Sequence, residues 1–135
     1  MNTNTTTILL IDDDDDDRML FKEALREISP SITIVEKTDC DEATDFLKSM
    51  GNNCPDYIFV DLNLPGTPGL KCLESIKEMK ACENIPVYMY STQITGSTKE
   101  KAFASGAAGA FQKPFTFDGI VTLLKGVLKL PAPTQ

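Results

Sequence analysis

Five short apolar runs, at residues 8–11, 32–35, 57–60, 87–90 and, more weakly, 110–112, alternate with segments of helical periodicity. That alternation limits the possible folds more than any other feature of the chain. Each run has strand length and is rich in β-branched or aromatic side chains. Between them apolar residues recur at i, i+3 or i+4 and i+7: Phe21, Ala24, Leu25 and Ile28, then Ala43, Phe46, Leu47 and Met50, then Cys72, Ile76 and Met79. The last stripe, Ile120, Leu123, Leu124, Val127 and Leu128, begins at Thr116 as a cap and is stopped by Pro131. The fourth helix has the thinnest apolar face. Ser97 and Glu100 read as its capping box, and only Ala102 and Phe103 offer buried side chains before Gly106. Strands that are apolar throughout, rather than at every second residue, are buried on both faces, as in a parallel sheet between helix layers. The expected fold is therefore α/β, a doubly wound five-stranded parallel sheet.

At 135 residues the chain suits one domain, spanning 1–135 with a core over about 7–130 and a short tail at 131–135, and no attached output domain is expected. Such a domain buries enough surface to fold without a staple. Met19, Phe21, Phe46 and Met79 read as core. The net charge of −7 comes almost entirely from the aspartates at 12–17. An acidic chain with no basic stripe repels nucleic acid and anionic membrane surfaces. No apolar run approaches the ~20 residues of a membrane span. The cysteines at 40, 54, 72 and 82 lack zinc-site spacing and there is no histidine, so the expectation is a cytoplasmic protein with reduced thiols.

In doubly wound sheets ligands bind beyond the carboxyl ends of the strands. Those ends carry Asp12 and Asp13 after the first run, Asp61 after the third, Ser91 and Thr92 after the fourth, and Lys113 after the fifth. A polar residue after a strand is usually a turn or cap residue, and it is the convergence of four such ends that argues for a site. Carboxylates gathered on one rim repel unless a cation joins them, and an all-oxygen set suits Mg²⁺. Carboxylates, a divalent cation, a lysine and a hydroxyl together describe a site for a phosphoryl group.

Four separated motifs carry a family resemblance: the first run ending in Asp12 and Asp13, the third ending in Asp61 and continuing through Asn63 and Pro65 to Gly69, the fourth ending in Ser91, and Gln112, Lys113, Pro114 and Phe115. In order and spacing they resemble the receiver domain of bacterial two-component response regulators, over about residues 7–130. The resemblance implies the strand order 2-1-3-4-5. It implies Asp61 as phosphoacceptor from a histidine kinase or histidine phosphotransfer protein, and Mg²⁺ held by Asp12, Asp13, Asp61 and the backbone carbonyl of Asn63. It also implies that Ser91, Thr92 and Lys113 bind the phosphoryl group, that the peptide bond to Pro114 is cis, and that Gly69 lets the loop turn into the third helix. Asn63 and Gln93 would tune dephosphorylation. The function implied is a switch acting on a separate partner rather than a turnover enzyme. One position departs from the family pattern: where a Tyr or Phe usually stands three residues before the lysine, this chain has Ala110, and Phe111 would point to the opposite face.

Three other readings are weaker. Asp12, Asp14, Asp16 and Glu23 fall on calcium-loop positions, but Asp17 stands where that loop needs glycine and a strand precedes it. Residues 14–17 then read as a solvated first helical turn. A phosphatase of the haloacid dehalogenase type would need an acid two residues after its nucleophile, where this chain has Asn63. A receiver-like module acting without phosphorylation would fold normally and bind no phosphoryl analogue at Asp61.

Overall fold

The computed structural model describes residues 6–128, so the tail at 131–135 and the stop at Pro131 lie outside the described residues. Five parallel strands, β1 (Thr7–Ile11), β2 (Thr33–Lys37), β3 (Tyr57–Val60), β4 (Val87–Ser91) and β5 (Gly109–Gln112), form one sheet in the order β2-β1-β3-β4-β5. The helices are α1 (Asp15–Ile28), α2 (Cys40–Met50), α3 (Gly69–Glu78), α4 (Gly96–Ala104) and α5 (Phe117–Leu128), and a short 3-10 helix, Lys80–Cys82, follows α3. Both the fold class and the strand order agree with the sequence reading.

Alternate residues of each inner strand feed two cores, which is why the strands read as unbroken apolar runs. Leu9, Ile11, Ile58, Val60, Val87 and Met89 pack with α2, α3 and α4 through Ala43, Leu47, Cys72, Leu73, Ile76 and Ala102. Ile8, Leu10, Phe59 and Tyr90 pack with α1 and α5 through Phe21, Leu25, Ile120 and Leu124. Within that second core Phe21 meets Phe59 and Tyr90 edge-on, with ring centroids 5.1 and 5.5 Å apart. Ala110 joins the first core and Phe111 the second, as the strand period requires.

Local chemistry sets the helix ends. Asp14 caps α1 by accepting from the Asp17 N–H, Asp39 caps α2 by accepting from Glu42, and the Thr116 hydroxyl accepts from the Gly119 N–H at the start of α5. In α4 the cap is Thr95, accepting from Thr98 at 3.1 Å, rather than the expected Ser97 with Glu100. Two residues earlier, the threonine meets the same orphan N–H groups and starts the helix sooner. Phe103 is 52% exposed, so Ala102 is the buried residue of α4, and its hold on the sheet is thinner than the sequence indicates. Met19 is also 48% exposed. It sits two positions from Phe21, a rotation of about half a turn from the buried stripe of α1.

The expected reduced thiols are corrected by a disulfide between Cys40 and Cys72. The partners stand 32 residues apart in sequence, and it is the packing of α2 beside α3 that brings their Cα atoms to 5.7 Å. Cys54 and Cys82 remain free, with their sulfurs 3.5 Å apart.

Candidate functional site

Three main-chain hydrogen bonds extend the sheet pairing one residue beyond the strands and so fix the direction of the side chains there. The Asp12 N–H donates to the Lys37 carbonyl, Asp61 to Ile11 and Lys113 to Ser91, at 3.0, 3.0 and 2.7 Å. As a result Asp12, Asp61, Ser91 and Lys113, all buried, meet at the carboxyl edge of β1, β3, β4 and β5.

The Asp61 carboxylate is held on both oxygens. Oδ1 accepts from the Ser91 hydroxyl and from the Asn63 N–H, each at 2.9 Å. Oδ2 accepts from Lys113 Nζ at 2.8 Å. Lys113 also donates to Asp12 Oδ2 and Asp17 Oδ2, at 2.7 Å each, and lies 5.6 Å from the centre of the Tyr90 ring. Burial pulls the Lys113 pKa down, but its three carboxylate partners outweigh burial and hold it above the ordinary lysine value. For Asp12 burial dominates and raises the pKa, against the lowering contributions of Lys113 and the Asp14 N–H.

Gly69 is required for close approach rather than for an unusual dihedral angle. A β-carbon there would lie 2.1 Å from the Asp61 carbonyl oxygen and 2.6 Å from the Leu62 Cα. Its N–H donates to the Leu62 carbonyl at 2.9 Å, closing the loop onto the start of α3.

The remaining expected site residues line the rim. Asp13, Asn63, Thr92 and Gln93 are exposed. The expected cis bond to Pro114 is not found: among the described residues every peptide bond is trans. The two forms of an X-Pro bond differ by only about 0.5–1 kcal/mol, so a Lys-Pro pair by itself does not select one. Lys113 reaches its three carboxylates beside this bond, and Phe115 is 96% exposed.

Sequence reasoning missed Asp17, which was assigned to a solvated turn with its neighbours. Its place three residues after the Asp14 cap turns it back over the sheet edge to Lys113. The next residue, Arg18, donates from Nη1 to the Asp12 carbonyl at 2.8 Å and from Nε to Glu36 at 3.0 Å, tying the loop after β1 to β2. It also pairs with Asp15. Burial acts to raise the Glu36 pKa, and its pairing with Lys22 and Arg18 overcomes this and lowers it.

Among the described residues no three His, Cys, Asp or Glu side chains enclose a metal, since the ammonium of Lys113 stands where the carboxylates converge. The donors nonetheless fit one kind of ion. Asp12, Asp17 and Asp61 face a single lysine, Asp13 is exposed next to Asp12 in the chain, every donor is oxygen, and the outer side is open to water. Mg²⁺, which keeps several waters and takes one or two carboxylates, matches such a rim.

The chain matches the family described as the response regulator receiver domain over residues 8–125, and it belongs to that family, the receivers of two-component signalling. It is 27% identical over 113 residues to the sensor histidine kinase CheAY of Helicobacter pylori, covering 84% of this chain and 14% of that protein. It is 27% identical over 99 residues to the phosphate regulon transcriptional regulatory protein PhoB of Escherichia coli, covering 73% of this chain and 42% of that protein. The chain thus spans less than half the length of these relatives. Among solved structures it resembles the phosphorylated cyanobacterial phytochrome response regulator RcpA, with a TM-score of 0.83 and 27% identity over 93% of this chain and 92% of that one.

Proposed function

We propose that Asp61 accepts a phosphoryl group from a phosphohistidine on a histidine kinase or phosphotransfer protein, and that the phosphorylated chain switches a separate protein partner. The observation that carries this reading is the set of donors on Asp61. A hydroxyl, a backbone N–H and an ammonium already sit on its two oxygens, and these are the groups a phosphoryl oxygen would require. The solved structure of phosphorylated RcpA, at 27% identity, supports the same chemistry.

An Asp61 oxygen attacks phosphorus, the O–P bond forms as the N–P bond breaks, and the imidazole leaves with the electron pair and takes a proton from solvent. Mg²⁺, held by Asp12, Asp13, Asp61 and the Asn63 carbonyl, would neutralise charge on the phosphoryl oxygens. Ser91 shifts its hydrogen bond from the carboxylate to a phosphoryl oxygen, Lys113 donates to another, and Thr92 adds its backbone beside them. Hydrolysis restores the carboxylate when water attacks phosphorus and inorganic phosphate leaves. The exposed amides of Asn63 and Gln93 orient that water without taking its proton. The chain acts as a regulator whose chemistry is confined to its own aspartate.

A histidine phosphorylated from ATP is a cytoplasmic donor, and this reading places the chain there. No described helix is long and apolar enough to cross a membrane.

Incubation with a radiolabelled phosphohistidine donor tests the proposal. Transfer to the chain that needs Mg²⁺ and stops with chelator is expected. A folded chain that takes no label from any histidine kinase, and none from acetyl phosphate, would instead indicate the module that acts without phosphorylation.

A further inference from the structure

An ammonium has three N–H donors, and Lys113 uses all three, on Asp12 Oδ2 at 2.7 Å, Asp17 Oδ2 at 2.7 Å and Asp61 Oδ2 at 2.8 Å. While Asp61 is still an anion, an arriving phosphoryl oxygen can engage Lys113 only when one of these carboxylates lets go. Exposure ranks them. The side chains of Asp12 and Asp61 are 1% and 9% exposed, so leaving either without its cation carries a heavy desolvation penalty. The Asp17 side chain is 31% exposed and can exchange the ammonium for water at much lower cost.

Asp17 can also leave without moving its helix. Its N–H stays bound to the Asp14 cap at 2.9 Å, and the neighbouring Arg18 stays anchored on Asp12 and Glu36. A side-chain rotation is enough. Held in place, the Asp17 carboxylate puts a negative charge on the cation that a phosphoryl group would need.

Resting on the phosphoacceptor reading above, we propose that Asp17 is a positioning residue that latches Lys113 in the unphosphorylated state and is displaced from it by the phosphoryl group. Asp17 therefore opposes phosphorylation and favours return to the resting state.

The test is calorimetric binding of beryllium trifluoride, a phosphoryl analogue, to the full chain in saturating Mg²⁺, comparing wild type with Asp17→Asn, Asp17→Ser and Asp17→Glu. Thermal melts verify folding and a separate titration gives the Mg²⁺ affinity. Removing the competing charge should tighten analogue binding about three- to tenfold in the Asn and Ser variants, the range of a partly exposed charge-assisted contact. Glu should restore wild-type affinity, and Mg²⁺ affinity should change by less than the analogue's. A residue that merely supports the fold would weaken binding when replaced. Unchanged or weaker analogue affinity in both Asn and Ser variants, with wild type binding normally, refutes the latch alone. A wild-type chain that binds no analogue at all refutes the phosphoacceptor reading, and the latch with it.

Discussion

Gly69 packs against the main chain of Asp61 so closely that a β-carbon on Gly69 would lie 2.1 Å from the Asp61 carbonyl oxygen. The turn into α3 and the placement of the candidate phosphoacceptor are thus one packing problem. Gly69→Ala must push the loop or the end of β3 aside, at a cost of about 1–3 kcal/mol or more. Urea denaturation should show that loss, together with slower labelling of Asp61. Wild-type stability and labelling would mean the loop yields freely.

Lys113 should also govern stability at alkaline pH. Its pKa in the folded chain stands above the ordinary lysine value of 10.5. The stabilisation is therefore fully present below the unfolded value and is lost as pH rises through the higher folded value. Urea midpoints measured from about pH 8 to 11 should fall more steeply at the upper end in wild type than in Lys113→Met. At neutral pH the variant, with Asp12 and Asp61 left without their cation, should be destabilised by about 3–5 kcal/mol. Parallel alkaline curves for the two proteins would remove Lys113 from the account.

Ala110 supplies no aromatic ring where the family pattern has one, so on the proposed reading output would travel by another route. The segment available is the exposed loop after Ser91 with α4, which buries Ala102 and leaves Phe103 half in solvent. Elements with so thin a buried face exchange between arrangements at low cost. Hydrogen exchange should show protection rising over 92–103 on addition of the phosphoryl analogue, more than in α1 or α2. Ala110→Tyr should alter partner binding while sparing phosphorylation. Changes confined to α1 and α2 would place the signalling face elsewhere.

The Cys40–Cys72 bridge closes a loop of 32 residues, for which chain entropy gives about 3–4 kcal/mol. Cys82, pushed up to about 12 by burial and by Cys54 beside it, is too little ionised at neutral pH to attack the bridge. Thiol titration of the denatured, unreduced chain should count two free thiols, and reductant should lower the unfolding free energy read from urea denaturation by about that amount. Four thiols before reduction would show that the bridge does not form.

The strands and the site were legible in the sequence because both are written in local patterns. Residues 57–60 are apolar throughout because that strand feeds two cores, Asp12, Asp61 and Lys113 each follow a strand whose pairing extends one residue further, and Ser91 ends β4. The features that escaped depend on neighbours distant in sequence. Asp17 looks like one more solvated aspartate until α1 is laid beside β5, and Cys40 and Cys72 look unrelated until α2 lies beside α3. The Thr95 cap escaped for another reason: two hydroxyl residues compete for the same helix start, and sequence alone does not rank them. The isomer of the bond to Pro114 is a choice between states nearly equal in energy, which the local sequence leaves open.

The account turns on Asp61, and intact-mass spectrometry after incubation with acetyl phosphate and Mg²⁺ tests it most directly. Wild type should gain a single phosphoryl group, the gain should vanish when the metal is chelated, and Asp61→Asn should gain none while folding normally. Labelling of folded Asp61→Asn at the wild-type level would contradict the account.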